Sequence, residues 1–212
     1  IEQAVALLGI EMIKTLVLSL KLFSQFPRMD QISVSIDELW DHSFLTAVFA
    51  GRIAFAVTKD KNVQENAFTT GLLHDIGMIT LASQMPQTYK KAYEDAFINK
   101  TPINYSENKF FEVSHCEVGA YLAGLWSLPL DICRSIARHH LPDVSENEPD
   151  ILTLAVHCAD VFAQSLKDKN QGLPLEELNP QLNHIELFMD NHEQWFSMCE
   201  EIIESENNNS KT

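Results

Sequence analysis

The sequence predicts an all-α protein, a helical bundle with its functional residues in the core, on three observations. Only seven glycines occur among 212 residues. Apolar residues recur at helical spacing almost throughout, and no stretch combines sustained alternation with the turn dipeptides of a hairpin. A first helix is expected from about Ile10 to Phe26, ended by Pro27 and set off from the opening turn by Gly9. Ser35-Ile36-Asp37-Glu38 has the form of a capping box and starts a helix that continues to about Lys59. That helix carries Trp40, Phe44, Val48, Phe55 and Val57, with Leu45, Phe49 and Ile53 on another side. A helix apolar on more than one side belongs in a core.

From Asn62 to Gln84 two helices are expected, broken or bent near Asp75-Ile76-Gly77, and Pro86 suits the first turn of the next, which runs to about Asn99. Thr101-Pro102 reads as a loop. A long helix is then predicted from Ser106 to Trp126, stopped by Leu128-Pro129, and Pro129 starts another that ends at His139-His140. Pro149 similarly opens a helix to about Lys167. Gly172, Pro174 and Pro180 mark a looser connection before a last helix from Glu193 to Ile203. No repeat or long linker divides the chain, so residues 1–203 read as one domain, and the Asn- and Ser-rich tail 204–212 is expected to be disordered.

Composition narrows the function. Fifteen Lys and Arg against thirty Asp and Glu give a net charge of −15, which opposes binding to nucleic acid phosphates or to anionic lipid. No apolar run of about 18 residues and no leader pattern occurs, so neither membrane spanning nor secretion is supported. Cys116, Cys133, Cys158 and Cys199 form no C-x-x-C pair and lie in apolar, helix-like segments, as reduced cysteines of a cytoplasmic protein do. Beginning at Ile1, within an apolar stretch and without methionine, the chain is expected to be a piece of a longer protein.

The chemistry lies in histidines and acids set where a core should be apolar. These are His42 beside Phe44 and Leu45, His74-Asp75 between Leu73 and Ile76, His115 after Phe110 and Phe111, His139-His140 after Ile136, and Asp160 among Ala159, Val161 and Phe162. A buried carboxylate without a partner costs several kcal/mol or changes protonation, so Asp75 and Asp160 need cations or good donors. A divalent metal held jointly by imidazoles and carboxylates would satisfy them. Each residue also has a plainer reading. A lone His42 or His115 fits a hydrogen-bonded core histidine, His139-His140 fits a cationic helix C-cap, and Asp160 fits a cap or an Arg pair. Helix neighbours point about 100° apart, so His74 and Asp75 can line one site only where the helix ends or is wrapped. By the same rule Cys116 beside His115 is expected to pack rather than to act with it, and His157 is expected in the core or behind a ligand. His184 and His192 carry no assigned role.

At these residues the sequence resembles a known family. Gly71-Leu72-Leu73-His74-Asp75-Ile76-Gly77 resembles the signature of the HD superfamily of metal-dependent phosphohydrolases, ordered H…HD…D, with His42 and Asp160 at the outer positions. Leu8-Gly9, Trp40-Asp41-His42-Ser43, His115-Cys116-Glu117-Val118-Gly119-Ala120 and Trp126-Ser127-Leu128-Pro129 extend the resemblance to the HDOD (HD-related output domain) subfamily, from residue 1 to about Leu166. The resemblance implies an HD-type helical fold, a bacterial signalling or regulatory role with a protein partner, and a further helical section before Ile1. It also implies that His42, His74, Asp75 and Asp160 ligate metal, with His115, His139 and His140 matching the extra histidines of the HD-GYP phosphodiesterases. Two departures argue against cyclic di-GMP hydrolysis: Leu141-Pro142-Asp143-Val144-Ser145 bears no GYP segment, and Met78 stands where HD-GYP enzymes have Lys.

A catalytic site of this kind would be a two-metal phosphohydrolase for a nucleotide or other small phosphate ester, with Asp75 the catalytic residue bridging two ions. The mixed ligands suit Fe, Mn, Zn or Ni better than Ca. Arg138, one turn after Arg134, is a candidate for a substrate phosphate, although solvation of both is the ordinary reading of surface arginines. A metal-retaining regulatory domain and an active phosphohydrolase are therefore the two functional classes to separate.

Overall fold

A computed structural model of the chain describes Val17 and residues 35–142, 150–167 and 178–209. The helix predicted for residues 10–26 lies outside these segments, Val17 apart. Helices occupy most of the described residues: α1 (Ile36–Thr58), α2 (Lys61–Leu73), α3 (Ile76–Gln84), α4 (Pro86–Asn99), α5 (Ile103–Phe111), α6 (His115–Leu125), α7 (Leu130–Arg138), α8 (Ile151–Lys167) and α9 (Glu186–Asn209). A 3-10 turn at Pro180–His184 precedes α9. No strand occurs among the described residues.

The local chemistry explains the boundaries. Ser35 Oγ accepts the Glu38 N–H at 3.3 Å and starts α1, which ends at Lys59 with φ 57°. Asp60 caps α2 by accepting the Asn62 N–H at 2.8 Å. Pro86 occupies the first turn of α4 and Pro129 the N-cap of α7. Asp150 opens α8 by accepting from the Leu152 N–H at 3.1 Å and the Thr153 hydroxyl at 2.8 Å.

Two predicted elements are corrected. The long helix expected from Ser106 to Trp126 is two helices, because Glu112 ends α5 in the left-handed region (φ 61°) and Ser114 caps α6. Ser114 and Glu117 make a reciprocal capping box, with the Ser114 N–H donating to Glu117 at 2.8 Å. The sequence signal was present in Ser114-His115-Cys116-Glu117. The last helix starts seven residues before Glu193 and runs to Asn209, so the tail from Glu204 is helical that far rather than disordered.

α1 is the central element. It packs on α2 and α8, while α6 packs on α3 and α7. Leu45, Phe49 and Ile53 of α1 join Ile132 and Ile136 of α7, Leu154 and Phe162 of α8, and Phe188 and Trp195 of α9 in the main core. Ile76, Ile79 and Leu81 of α3 and Tyr89 of α4 form a second cluster. The polar site lies where these helices meet.

Candidate metal centre

The structure brings His42, His74, Asp75, His115, His139, His140 and Asp160 together from α1, the α2–α3 junction, α6, the end of α7, and α8. His74 and Asp75 are adjacent yet share the site because the helix breaks between them and α3. His74 keeps helical dihedrals as the C-cap of α2, whereas Asp75, at φ −97° and ψ 7°, is the N-cap of α3. His139-His140 meets the same requirement by closing α7.

Asp75 stands in the middle. Its Oδ2 lies 3.2 Å from His74 Nε2 and 3.9 Å from His42 Nε2, while Oδ1 lies 3.4 Å from His115 Nε2 and 3.9 Å from His139 Nε2. Asp160 Oδ1 is 2.9 Å from His42 Nε2 and 3.8 Å from His74 Nε2. On the other side, His115 Nε2 is 2.9 Å from His140 Nε2 and 3.4 Å from His139 Nε2.

The surrounding backbone orients the rings. His74 Nδ1 donates to the Gly71 carbonyl at 2.7 Å and His139 Nδ1 to the Ile136 carbonyl at 2.8 Å, which directs both Nε2 atoms into the cluster. Glu107 faces His115 Nδ1 at 2.6 Å and also accepts the His115 N–H at 2.8 Å. His157 accepts the Asn179 N–H at Nε2 (3.1 Å), so its Nδ1 is the donor to the His139 carbonyl at 2.7 Å.

Charge follows this geometry. Burial opposes the charged form of His74, but Asp75 and Asp160 outweigh it and raise the pKa to about 9. Burial likewise works against the Asp75 and Asp160 carboxylates, yet the imidazoles, His74 for Asp75 and His42 with His74 for Asp160, hold both below the usual carboxylate range. His139 is lowered by burial and by His140, and burial takes His157 down to about 4. The His115 pKa rises well above normal because Cys116 and Glu107 overcome its burial.

The residues fit a metal. Asp160 Oδ2 is buried without a hydrogen-bond partner, and His74 Nε2, also buried, has only the Asp75 and Asp160 carboxylates within reach. Three groupings have donor atoms close enough for one ion: His42, His74 and Asp75; His74, His139 and Asp160; and His115, Cys116, His139 and His140. Such a donor set suits a divalent transition metal.

Two participants, Glu107 and Cys116, were not assigned to the site from sequence, while His157 lies behind a candidate ligand, one of the two places expected for it. Glu107 lies eight residues before His115, and the intervening turn at Glu112 brings it back against that ring. His157 supports His139 from behind. Cys116, expected to diverge from His115, has its Sγ 3.6 Å from His115 Nε2, since both residues open α6 and the long imidazole folds toward the thiol. Burial disfavours the Cys116 thiolate, but His115 and His139 draw its pKa down to about 2. Arg138 and Arg134 are exposed on α7, and His192 stacks on Phe188 of α9.

A helical fold with a histidine–aspartate cluster at its centre defines the class, and comparison gives the family. Residues 1–142 match the HDOD domain model. The chain belongs to the HDOD domain family. It is 32% identical over 120 residues to an uncharacterized protein of Treponema pallidum (strain Nichols), covering 56% of this chain and 23% of that protein's length. The crystal structure of an HDOD domain protein of unknown function from Geobacter sulfurreducens superposes with TM-score 0.67 at 24% identity, covering 94% of this chain and 64% of the other. A protein of Shewanella amazonensis SB2B, named provisionally as a phosphohydrolase, gives TM-score 0.65 at 19% identity over 94% and 76% of the two chains. One from Marinobacter aquaeolei VT8, named provisionally for signal transduction, gives 0.63 at 15% over 93% and 45%. These structures share the fold. No helix among the described residues is long and apolar enough to cross a membrane.

Proposed function

We propose that this chain is a regulatory HDOD domain of a bacterial, cytoplasmic signalling protein, in which the histidine–aspartate cluster holds divalent metal and a protein partner reads the metal-bound state. The observation that carries the metal reading is His74 Nε2: buried, its other nitrogen committed to Gly71, and aimed at two carboxylates, 3.2 Å from Asp75 and 3.8 Å from Asp160. His42, His74, Asp75 and Asp160 would hold one ion, and His115, His139 and His140 a second, with one Asp75 oxygen toward each group. Fe, Mn, Zn and Ni are the ions this donor set suits. A bound ion would supply Lewis acidity and lower the pKa of its water.

Regulation is favoured over catalysis by what surrounds the cluster. Met78 is buried with Ile76, Ile79 and Leu81 and cannot donate to a phosphate oxygen. The provisional signalling name of the Marinobacter relative agrees with this reading. The net charge of −15 favours a protein partner over nucleic acid or an anionic membrane. The phosphohydrolase reading keeps two supports: a carboxylate placed between two groups of donors, as a two-metal hydrolase for a small phosphate ester requires, and the provisional phosphohydrolase name of the Shewanella relative.

The test is to load the protein separately with Mn, Fe, Zn and Ni and follow cyclic di-GMP, nucleotides and a generic phosphodiester. Metal uptake with no turnover is expected. Turnover at about 1 per second or faster, abolished in Asp75→Ala, would make the domain a phosphohydrolase.

A further inference from the structure

The cysteine at the head of α6 goes beyond the histidine–aspartate set. Cys116 is buried, and its Sγ shares a space with the Nε2 atoms of His115, His139 and His140, all four donor atoms lying within 4.8 Å of one another. Two edges of this group have the length of edges in a coordination polyhedron. A tetrahedron with bonds of about 2.05 Å to nitrogen and about 2.3 Å to sulfur has N···N edges of about 3.3 Å and N···S edges of about 3.6 Å. The observed His115–His139 edge is 3.4 Å and the His115–Cys116 edge 3.6 Å, while the His115–His140 edge is shorter at 2.9 Å.

The ring orientations suit the same purpose. His139 Nδ1 is committed to the Ile136 carbonyl and His115 Nδ1 to Glu107, so each turns its Nε2 toward the common space. Two lone pairs 3.4 Å apart repel unless a proton or a cation lies between them, and a sulfur ligand beside them selects a borderline or soft ion. The remaining cysteines do not compete: Cys158 and Cys199 are buried in the apolar core, and the Cys133 thiol donates to the Leu128 carbonyl.

We propose that Cys116 is a metal ligand, completing with His115, His139 and His140 a three-histidine, one-cysteine subsite that prefers zinc-like ions, beside the all-nitrogen-and-oxygen subsite of His42, His74, Asp75 and Asp160. The inference rests on the reading that the cluster takes metal, and it divides the cluster into two halves of different softness. Mn would then favour the oxygen-rich half, and Zn or Co the cysteine-containing half.

The experiment is cobalt(II) titration of the whole chain, monitored by visible absorption for binding and in the near ultraviolet for thiolate-to-cobalt charge transfer, with bound metal counted after desalting. The wild type should show the charge-transfer band. Cys116→Ala and Cys116→Ser should lose that band while still showing cobalt d–d absorption, with at least a tenfold loss in zinc affinity and little change for Mn. His42→Ala should keep the band. Circular dichroism of each variant controls for folding, and Cys116→Ser keeps the volume nearly constant. Cobalt bound without the charge-transfer band would overturn the assignment of Cys116 while leaving the metal-site reading intact. Failure of cobalt, zinc and Mn all to bind folded wild type would overturn both.

Discussion

Replacing Gly77 by alanine tests whether the close contact between α3 and the head of α6 sets the site. A Cβ at residue 77 would lie 2.8 Å from the carbonyl carbon of His115 and 2.9 Å from the backbone nitrogen of Gly119, and nearer still to the His115 carbonyl oxygen. Ordinary carbon contacts fall at about 3.5–4.0 Å, and the still closer carbonyl oxygen sets the limit, so α3 and α6 must separate by about 1 Å or more. All three obstacles are backbone atoms, and no side chain can swing aside. Overpacking of this kind costs about 1–3 kcal/mol, against which alanine gains about 0.5–1 kcal/mol over glycine in a helix. A net loss of about 1 kcal/mol lowers Tm by about 2–4 °C for a chain of this size. Because His115 moves with α6, metal affinity should fall as well. Gly124→Ala is the control: nothing lies within 4 Å of its Cβ, so the helix-propensity gain should appear alone. Thermal and urea unfolding with and without zinc measure both effects. Gly77→Ala matching wild type in stability and zinc affinity would refute the contact as the device that positions His115.

Glu107→Gln replaces the carboxylate facing His115 Nδ1 and should lower zinc affinity about 10–100-fold with a small change in Tm, read by competition with a zinc indicator. Ser114→Ala removes the cap of α6 and should cost about 1 kcal/mol in denaturant unfolding. His157, held neutral at a pKa of about 4, disfavours the fold in acid: its folded pKa lies below the ordinary value of about 6.5, so stability is complete above pH 6.5 and is lost as pH falls toward 4. Its share between pH 7.5 and pH 5 is about 2 kcal/mol, and a histidine NMR titration should find it neutral and protonated at Nδ1 at pH 5. In the metal-free protein the raised His74 pKa acts in the opposite sense, contributing stability below about pH 6.5 that is lost as pH rises through about 9. His74→Gln should flatten that alkaline limb in chelator-treated samples.

The sequence made the ligand-like residues legible because each broke an apolar pattern: His74-Asp75 after Leu72-Leu73, and Asp160 between Ala159 and Val161. The breaks at prolines were equally readable, and Pro86 and Pro129 open α4 and α7. The residues that support the ligands were not. Glu107 looks like an ordinary polar position of a helix, and only the left-handed turn at Glu112, a conformation no residue type there announces, returns it to His115. Cys116 was hidden by a rule that holds in helix interiors and fails at the first two residues of α6. The second half of the capping box, Glu117, would have located that start, but the apolar run Phe110-Phe111-Val113 favours continuity over a break.

The central claim, metal held by the histidine–aspartate cluster, is tested most directly by elemental analysis of protein purified without chelator, beside His74→Ala and Asp75→Ala prepared identically. The wild type should carry one or more equivalents of a divalent transition metal, with a large loss in both folded variants. Metal-free wild type that also fails to take up Fe, Mn, Zn or Ni on titration, or variants that retain the full metal content, would contradict it.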